Sequence, residues 1–335
     1  MTTVPAIIVP DTIYDLPNED YHRGEPYCNY LSSTQIKHYL TSPKFARYVQ
    51  LHPEQFSINP DSAEKGSLYH DAMESIVNHG SLDHWRNNLL IFEPPVNPKT
   101  NCPYGRDTQK YANALLEAQA DNPGKTLTSQ SSVQLVETMV WELLNNCRET
   151  SRQIQSMLRW PTTRAEVSHF IEYEGCKFKW RPDVETKKKI YDWKTLAVDD
   201  LHEDTVNRTI LKFGYHISAA FYQFFEHERT GVWKEFYWVM QQKTAPYDAI
   251  MVSAANWAFS WEPDASLPEG GVVHLGVGAT IFLKLLRQHI FCVQHNDFDG
   301  AQVFIQPGFR GRRILMPEPP GYTKTEIFNF YNKND

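Results

Sequence analysis

Near residue 165 the hydrophobic period of the chain changes from helical to twofold, and that switch limits what it can fold into. Residues 165–173, 176–185 and 189–196 are rich in Val, Ile, Phe, Tyr and Trp, separated by Glu174-Gly175 and by Thr186-Lys187-Lys188. Short β-prone runs divided by such turns predict an antiparallel meander of three strands. A long helix over 204–228, ending at Gly231, is expected next. Strands at 233–241 and 247–253, a Pro/Gly-rich loop from Trp257 to Gly271 and a last helix over 279–294 complete the pattern.

Before the switch the chain reads as helices. Ser33 and Ser42-Pro43 offer caps for two short helices within 31–50, with Tyr39, Leu40, Phe45 and Tyr48 as their buried face. A third helix should start near Asp61, with Glu64 three residues on, and run to Gly80 carrying His70 and Glu74 one turn apart. Residues 92–106 contain four prolines and read as a surface loop before helices at 108–120 and 131–158. The class is therefore α/β, with a mixed central sheet flanked by helices, an N-terminal helical portion and a C-terminal extension.

Length and composition narrow the function. At 335 residues the chain has room for about two domains, or one with large insertions. Its apolar fraction of 41% and charged fraction of 22% belong to globular proteins, and its most apolar stretch, 275–286, is interrupted by Lys284 and is too short to span a bilayer. The expectation is a cytoplasmic protein with no membrane partner. A net charge of -7 argues against nonspecific coating of nucleic acid, though it leaves room for a local basic groove. The five cysteines are widely spaced, with neither a CxxC pair nor a His doublet at zinc spacing, and read as reduced thiols.

The simplest register of the meander assembles a chemical site. A two-residue turn at Glu174-Gly175 sets Tyr173 against Cys176, and counting back sets Glu166 opposite Asp183. A short turn at 186–188 sets Glu185 against Ile190 and Asp183 opposite Asp192. Like charges directly opposed in a sheet are destabilising, and a divalent cation would reverse that penalty. Lys194, two residues beyond Asp192, projects from the same face. Pro182 cannot donate to a ladder and signals a bulge or edge beside Asp183. Without the cation the same residues would be an ordinary solvated face.

Arg181-Pro182-Asp183 followed by Asp192-Trp193-Lys194 resembles the signature of the PD-(D/E)XK nucleases. Taken with Gly66 and His70 on an upstream helix, Glu166, and Tyr215-His216 to Phe221-Tyr222, the chain resembles exodeoxyribonuclease VIII (RecE) and related phage recombination exonucleases. The likeness covers roughly 21–251. It implies a restriction-endonuclease-like core within 31–300, an N-terminal arm over 1–30 and a tail over 301–335. It further implies Asp183, Asp192 and His70 as ligands of Mg²⁺ or Mn²⁺, the imidazole favouring Mn²⁺. Glu166 would join the site or contact its water. Lys194 would orient or deprotonate the attacking water, helped if cations lower its pKa. Tyr222 ranks below these.

Two positions depart from the family pattern. Asp192 stands where many members carry Glu, and Ser218 stands where a Gln usually precedes Tyr222 by four residues, with His216 as a candidate substitute. By resemblance, the substrate is a double-stranded DNA end, degraded 5′ to 3′ to leave a 3′ overhang for a single-strand annealing partner. A homo-oligomer, as a ring, is also implied, as is a bacterial or phage-infected cell as its setting. An endonuclease or flap nuclease with the same core, a noncatalytic DNA-binding protein and a structural phage component are the rival readings. Lys177, Lys179 and Arg181, the lysines at 187–189, and Arg310, Arg312 and Arg313 are either solvated surface or phosphate contacts, the three arginines alternatively a subunit contact. Trp180, Tyr191 and Trp193 are expected to pack the sheet.

Overall fold

A computed structural model describes residues 11–56, 60–264 and 271–298, with the backbone alone at residues 54 and 60–64. The expected tail with Arg310, Arg312 and Arg313 lies outside the described residues, as do the first ten residues of the expected arm. The chain divides into two compact units, Ile58–Arg159 and the segments on either side of it.

In the unit formed by those flanking segments, a five-stranded sheet runs in the order Ala249–Ser253, Glu235–Gln242, Lys189–Leu196, Val184–Glu185 and Arg164–Ala165. Only Lys189–Leu196 and Glu235–Gln242 are parallel, so the sheet is mixed. A parallel neighbour needs a crossover, and the helices Glu203–Lys212 and Tyr215–Thr230 supply it. A second sheet joins Thr12–Ile13, Ser168–Tyr173 and Cys176–Trp180. Apolar side chains of Tyr215–Thr230 and Val277–His295 pack with the strands around Phe178, Trp180, Phe221, Phe225, Trp238 and Phe282, all fully buried.

The turns have the expected register, Tyr173 against Cys176 and Ile190 against Glu185. The strands between them are not continuous. The first breaks at Glu166, whose φ of 55° is left-handed, and the second breaks over Arg181-Pro182-Asp183. Pro182 has no N–H to donate, so two partly paired strands divide their ends between two sheets. Register survives the break: Arg164 faces Glu185, and Glu166 N donates to Asp183 O at 3.2 Å.

Other expectations shift for local reasons. The helix expected over 204–228 is two, separated at Phe213-Gly214, where Gly214 has φ 62°. Within the expected loop 257–271, Phe259–Pro263 is a strand paired with Gly271–Leu275. The first short helix is capped by Ser32, not Ser33: Ser32 accepts from Gln35 N while the Gln35 side chain accepts from Ser32 N. Ser42 and Pro43 act as expected. Tyr39 is buried, whereas Leu40 and Tyr48 are exposed and Ala46 and Val49 take the inner face.

In the unit Ile58–Arg159, the helix Pro60–His79 begins before Asp61, which therefore lies inside it. Gly80 follows that helix with φ 74°. Gln109–Asp121, capped by Thr108, matches the expected helix. The next is interrupted: Gln130–Asn145 and Arg148–Leu158 meet at a bend where Arg148 has φ 45°. The proline-rich loop contains a small hairpin, Val96–Asn97 against Cys102–Pro103. Among the described residues no helix is long and apolar enough to cross a membrane.

Candidate active site

Asp183 sits where the ladder stops. Its Oδ2 accepts from Trp193 N at 2.5 Å, so a side chain occupies the place of a backbone acceptor beside the strand Lys189–Leu196. Carboxylate oxygens of Glu166 and Asp183 lie within 4.8 Å of each other. A non-glycine residue held at a left-handed φ stores strain, and such residues cluster at functional sites. Two neighbouring carboxylates are the donor set that hard divalent cations take, so the residues present fit the implied ion.

Asp192 is only 8% exposed, and its Oδ2 lies 2.6 Å from Lys194 Nζ. Lys194 also donates to Trp193 O at 3.1 Å and lies 5.2 Å from the ring centroid of Tyr215. Burial pulls the Lys194 pKa down, but Asp192 and then Asp183 outweigh it and hold the ammonium above its usual range. The expected lowering therefore needs an added cation; with the carboxylates alone, Lys194 is firmly protonated. Tyr222 donates to Arg181 O at 3.3 Å. Burial, with help from Tyr21, Asp192 and Asp183, raises its hydroxyl pKa, so Tyr222 is a neutral donor bracing the turn before Asp183.

Behind the site runs a closed polar circuit that the sequence did not announce. Thr12 Oγ1 is 3.2 Å from His169 Nδ1, and His169 Nε2 is 3.0 Å from Glu185 Oε1. Lys234 Nζ reaches Glu185 Oε2 at 2.9 Å and Glu226 Oε1 at 2.8 Å. Arg229 pairs with Glu226 at 2.8 Å and donates back to Thr12 Oγ1 at 3.4 Å. His169, Glu185 and Glu226 have metal-ligand reach, yet the Lys234 ammonium already stands between the two carboxylates. Burial raises the Glu185 pKa, but His169 and Lys234 overcome it and bring it down to about 2. Glu185 lies two residues beyond Asp183, so the circuit anchors the strand that carries it.

Several of the expected phosphate and DNA contacts lie elsewhere. Lys179 is buried and donates to Tyr21 O and Tyr27 O, while Arg181 donates to Ser168 Oγ and Leu16 O and lies 4.0 Å from the Tyr21 ring centroid. Alternation put both on one face, but that face is covered by the N-terminal segment, so neither is open to phosphate. His216 is fully buried against Trp257, its pKa driven down to about 3 by burial; it is a core residue and no substitute for a DNA-binding amide. Trp180, Tyr191 and Trp193 are buried as expected, and Lys177, Lys187 and Lys188 are exposed. In the other unit, His70 is half-buried on Pro60–His79, and Glu74 accepts from Asn78 Nδ2 at 3.5 Å.

A mixed sheet, a broken strand carrying Asp183 and a neighbouring strand carrying Asp192-Trp193-Lys194 define the restriction-endonuclease-like fold of the PD-(D/E)XK superfamily. Residues 32–263, well over half of the chain, match the family described as "PDDEXK-like domain of unknown function (DUF3799)", and the chain belongs to that family. Among solved structures it is similar to a "Putative exonuclease" from Eubacterium rectale, at 17% identity and a TM-score of 0.48, with 93% of this chain and 98% of that one covered. No curated protein matches the sequence.

Proposed function

We propose that this protein is a metal-dependent deoxyribonuclease that hydrolyses phosphodiester bonds at the ends of linear double-stranded DNA. The observation that supports it most is the close approach of Glu166 and Asp183 beside the buried Asp192–Lys194 pair. Glu166, Asp183 and Asp192 would hold Mg²⁺ or Mn²⁺, with His70 as the further ligand that the family resemblance implies. A divalent cation there would supply Lewis-acid stabilisation of negative charge on the phosphoryl oxygens. Lys194, aimed by Asp192 and by Trp193 O, is a proton-bearing donor that orients the attacking water. Asp183, fixed by Trp193 N, cannot rotate away as charge develops, which limits reorganisation during the reaction.

The resemblance extends the proposal to 5′-to-3′ polarity, a 3′ overhang, an annealing-protein partner and a homo-oligomeric ring. The test is a time course with Mg²⁺ or Mn²⁺ on linear and circular duplexes labelled separately at each 5′ and 3′ end, with Asp192→Ala alongside. Stepwise loss of 5′ label from linear duplex alone, absent in the variant, is expected. Cutting of circles would instead indicate an endonuclease, and equal activity in both proteins would remove the proposed site.

A further inference from the structure

A second lysine reaches the acidic site, and no motif contains it. Lys37 follows the capped turn Ser33–Ile36, and its aliphatic stem lies across Gly214, where an added Cβ would stand 3.0 Å from Lys37 Cδ. Its Nζ donates to Phe213 O at 3.2 Å. The next residue after Gly214 is Tyr215, whose ring lies beneath the Lys194 ammonium. Lys37 and Lys194 therefore both address the start of the helix Tyr215–Thr230, and the charges of Lys194 and Asp192 both act on Lys37.

The two lysines are not equivalent. Lys194 has a carboxylate partner at 2.6 Å, whereas Lys37 makes no ion pair with a carboxylate among the described residues. Lys37 is half-buried and its bond to Phe213 O lies at the surface, so its ammonium, with three hydrogens to donate, is open to a further acceptor. Burial, followed by the charge of Lys194, brings its pKa down to about 8, as expected of a cation lacking its counter-ion. An ammonium is a point charge that donates to phosphate oxygens without the forked geometry of a guanidinium.

We infer that Lys37 is a phosphate-binding residue of this site, holding a non-bridging oxygen of the DNA backbone near Asp192 and Lys194. Gly214 is its cradle: the left-handed φ of 62° ends one helix, and the missing Cβ leaves room for the lysine stem. Lys37 would contribute affinity and salt dependence and no sequence preference.

The inference deepens the nuclease reading, and its test is separable from it. Binding of a fluorescent duplex by the full chain is measured by anisotropy in EDTA over a range of salt, for wild type, Lys37→Met, Lys37→Arg and the exposed control Lys44→Met. The expected result is about a tenfold loss of affinity in Lys37→Met and a salt slope smaller by about one, with Lys37→Arg and Lys44→Met close to wild type. An unchanged slope and affinity in Lys37→Met with a wild-type circular dichroism spectrum would overturn the inference. So would a Lys37→Arg variant as impaired as Lys37→Met, or a wild type that binds no duplex. Cleavage by the wild type is assayed separately, so binding that depends on Lys37 without cleavage would reject the nuclease and retain the phosphate contact.

Discussion

Asp192 and Lys194 neutralise each other in a site that is almost closed to water, so removing either partner leaves a buried charge. Lys194→Met is expected to lower the cleavage rate by about 100-fold or more, the contribution typical of a positioned proton-transfer group. Single-turnover rates on linear duplex would show it; a rate within a few-fold of wild type would exclude Lys194 from the chemistry. Glu185 makes a different prediction. Its folded pKa is depressed to about 2 from a usual 4.5, so its contribution is fully present above about pH 4.5 and is lost as the pH falls toward 2. The shift corresponds to a gain on the order of 3 kcal/mol at neutral pH. Urea unfolding of wild type and Glu185→Gln should differ at pH 7 and converge only as the pH falls to about 2; a gap independent of pH would mean that Glu185 is not held as a carboxylate.

At the scale of elements, the broken strands are the device that builds the site. A continuous meander would turn Glu166 and Asp183 into an ordinary cross-strand pair. The break at Pro182 instead lets the Asp183 carboxylate take the Trp193 N–H, and the left-handed turn at Glu166 brings the second carboxylate to it. This arrangement costs stability through backbone strain and through like charges held close. Glu166→Asn, which tolerates the left-handed region and removes one charge, should raise unfolding stability by about 1 kcal/mol while reducing metal-dependent cleavage. Thermal melts beside activity measurements would show the exchange, and a destabilised variant would argue that neither strain nor repulsion is present. Gly214→Ala at the other break should cost about 1–2 kcal/mol from its positive φ. The same variant should weaken duplex binding by crowding Lys37, a loss readable in the anisotropy assay.

For the whole molecule, a divalent ion that binds only the folded site must stabilise the fold by linkage, by about 2.7 kcal/mol at a hundredfold excess over its dissociation constant. Mn²⁺ should therefore raise the melting temperature of wild type and not of Asp183→Asn; an equal rise in both would place the ion elsewhere. Much of this architecture was legible in the chain. The turn at Glu174-Gly175 fixed the register, and register is a matter of counting once the turn is known, so Glu166, Asp183 and Asp192 came to adjacent strands on paper. The DxK spacing placed Asp192 and Lys194 on one face for the same reason. Sequence determined which residues could face one another because backbone periodicity is local. The tertiary structure alone decided which of them stay solvated: the N-terminal segment covers Lys179 and Arg181, Trp257 lies against His216, and residues from Thr12 to Lys234 close one circuit. Burial and charge pairing depend on segments far apart in the chain, and no local pattern encodes their approach.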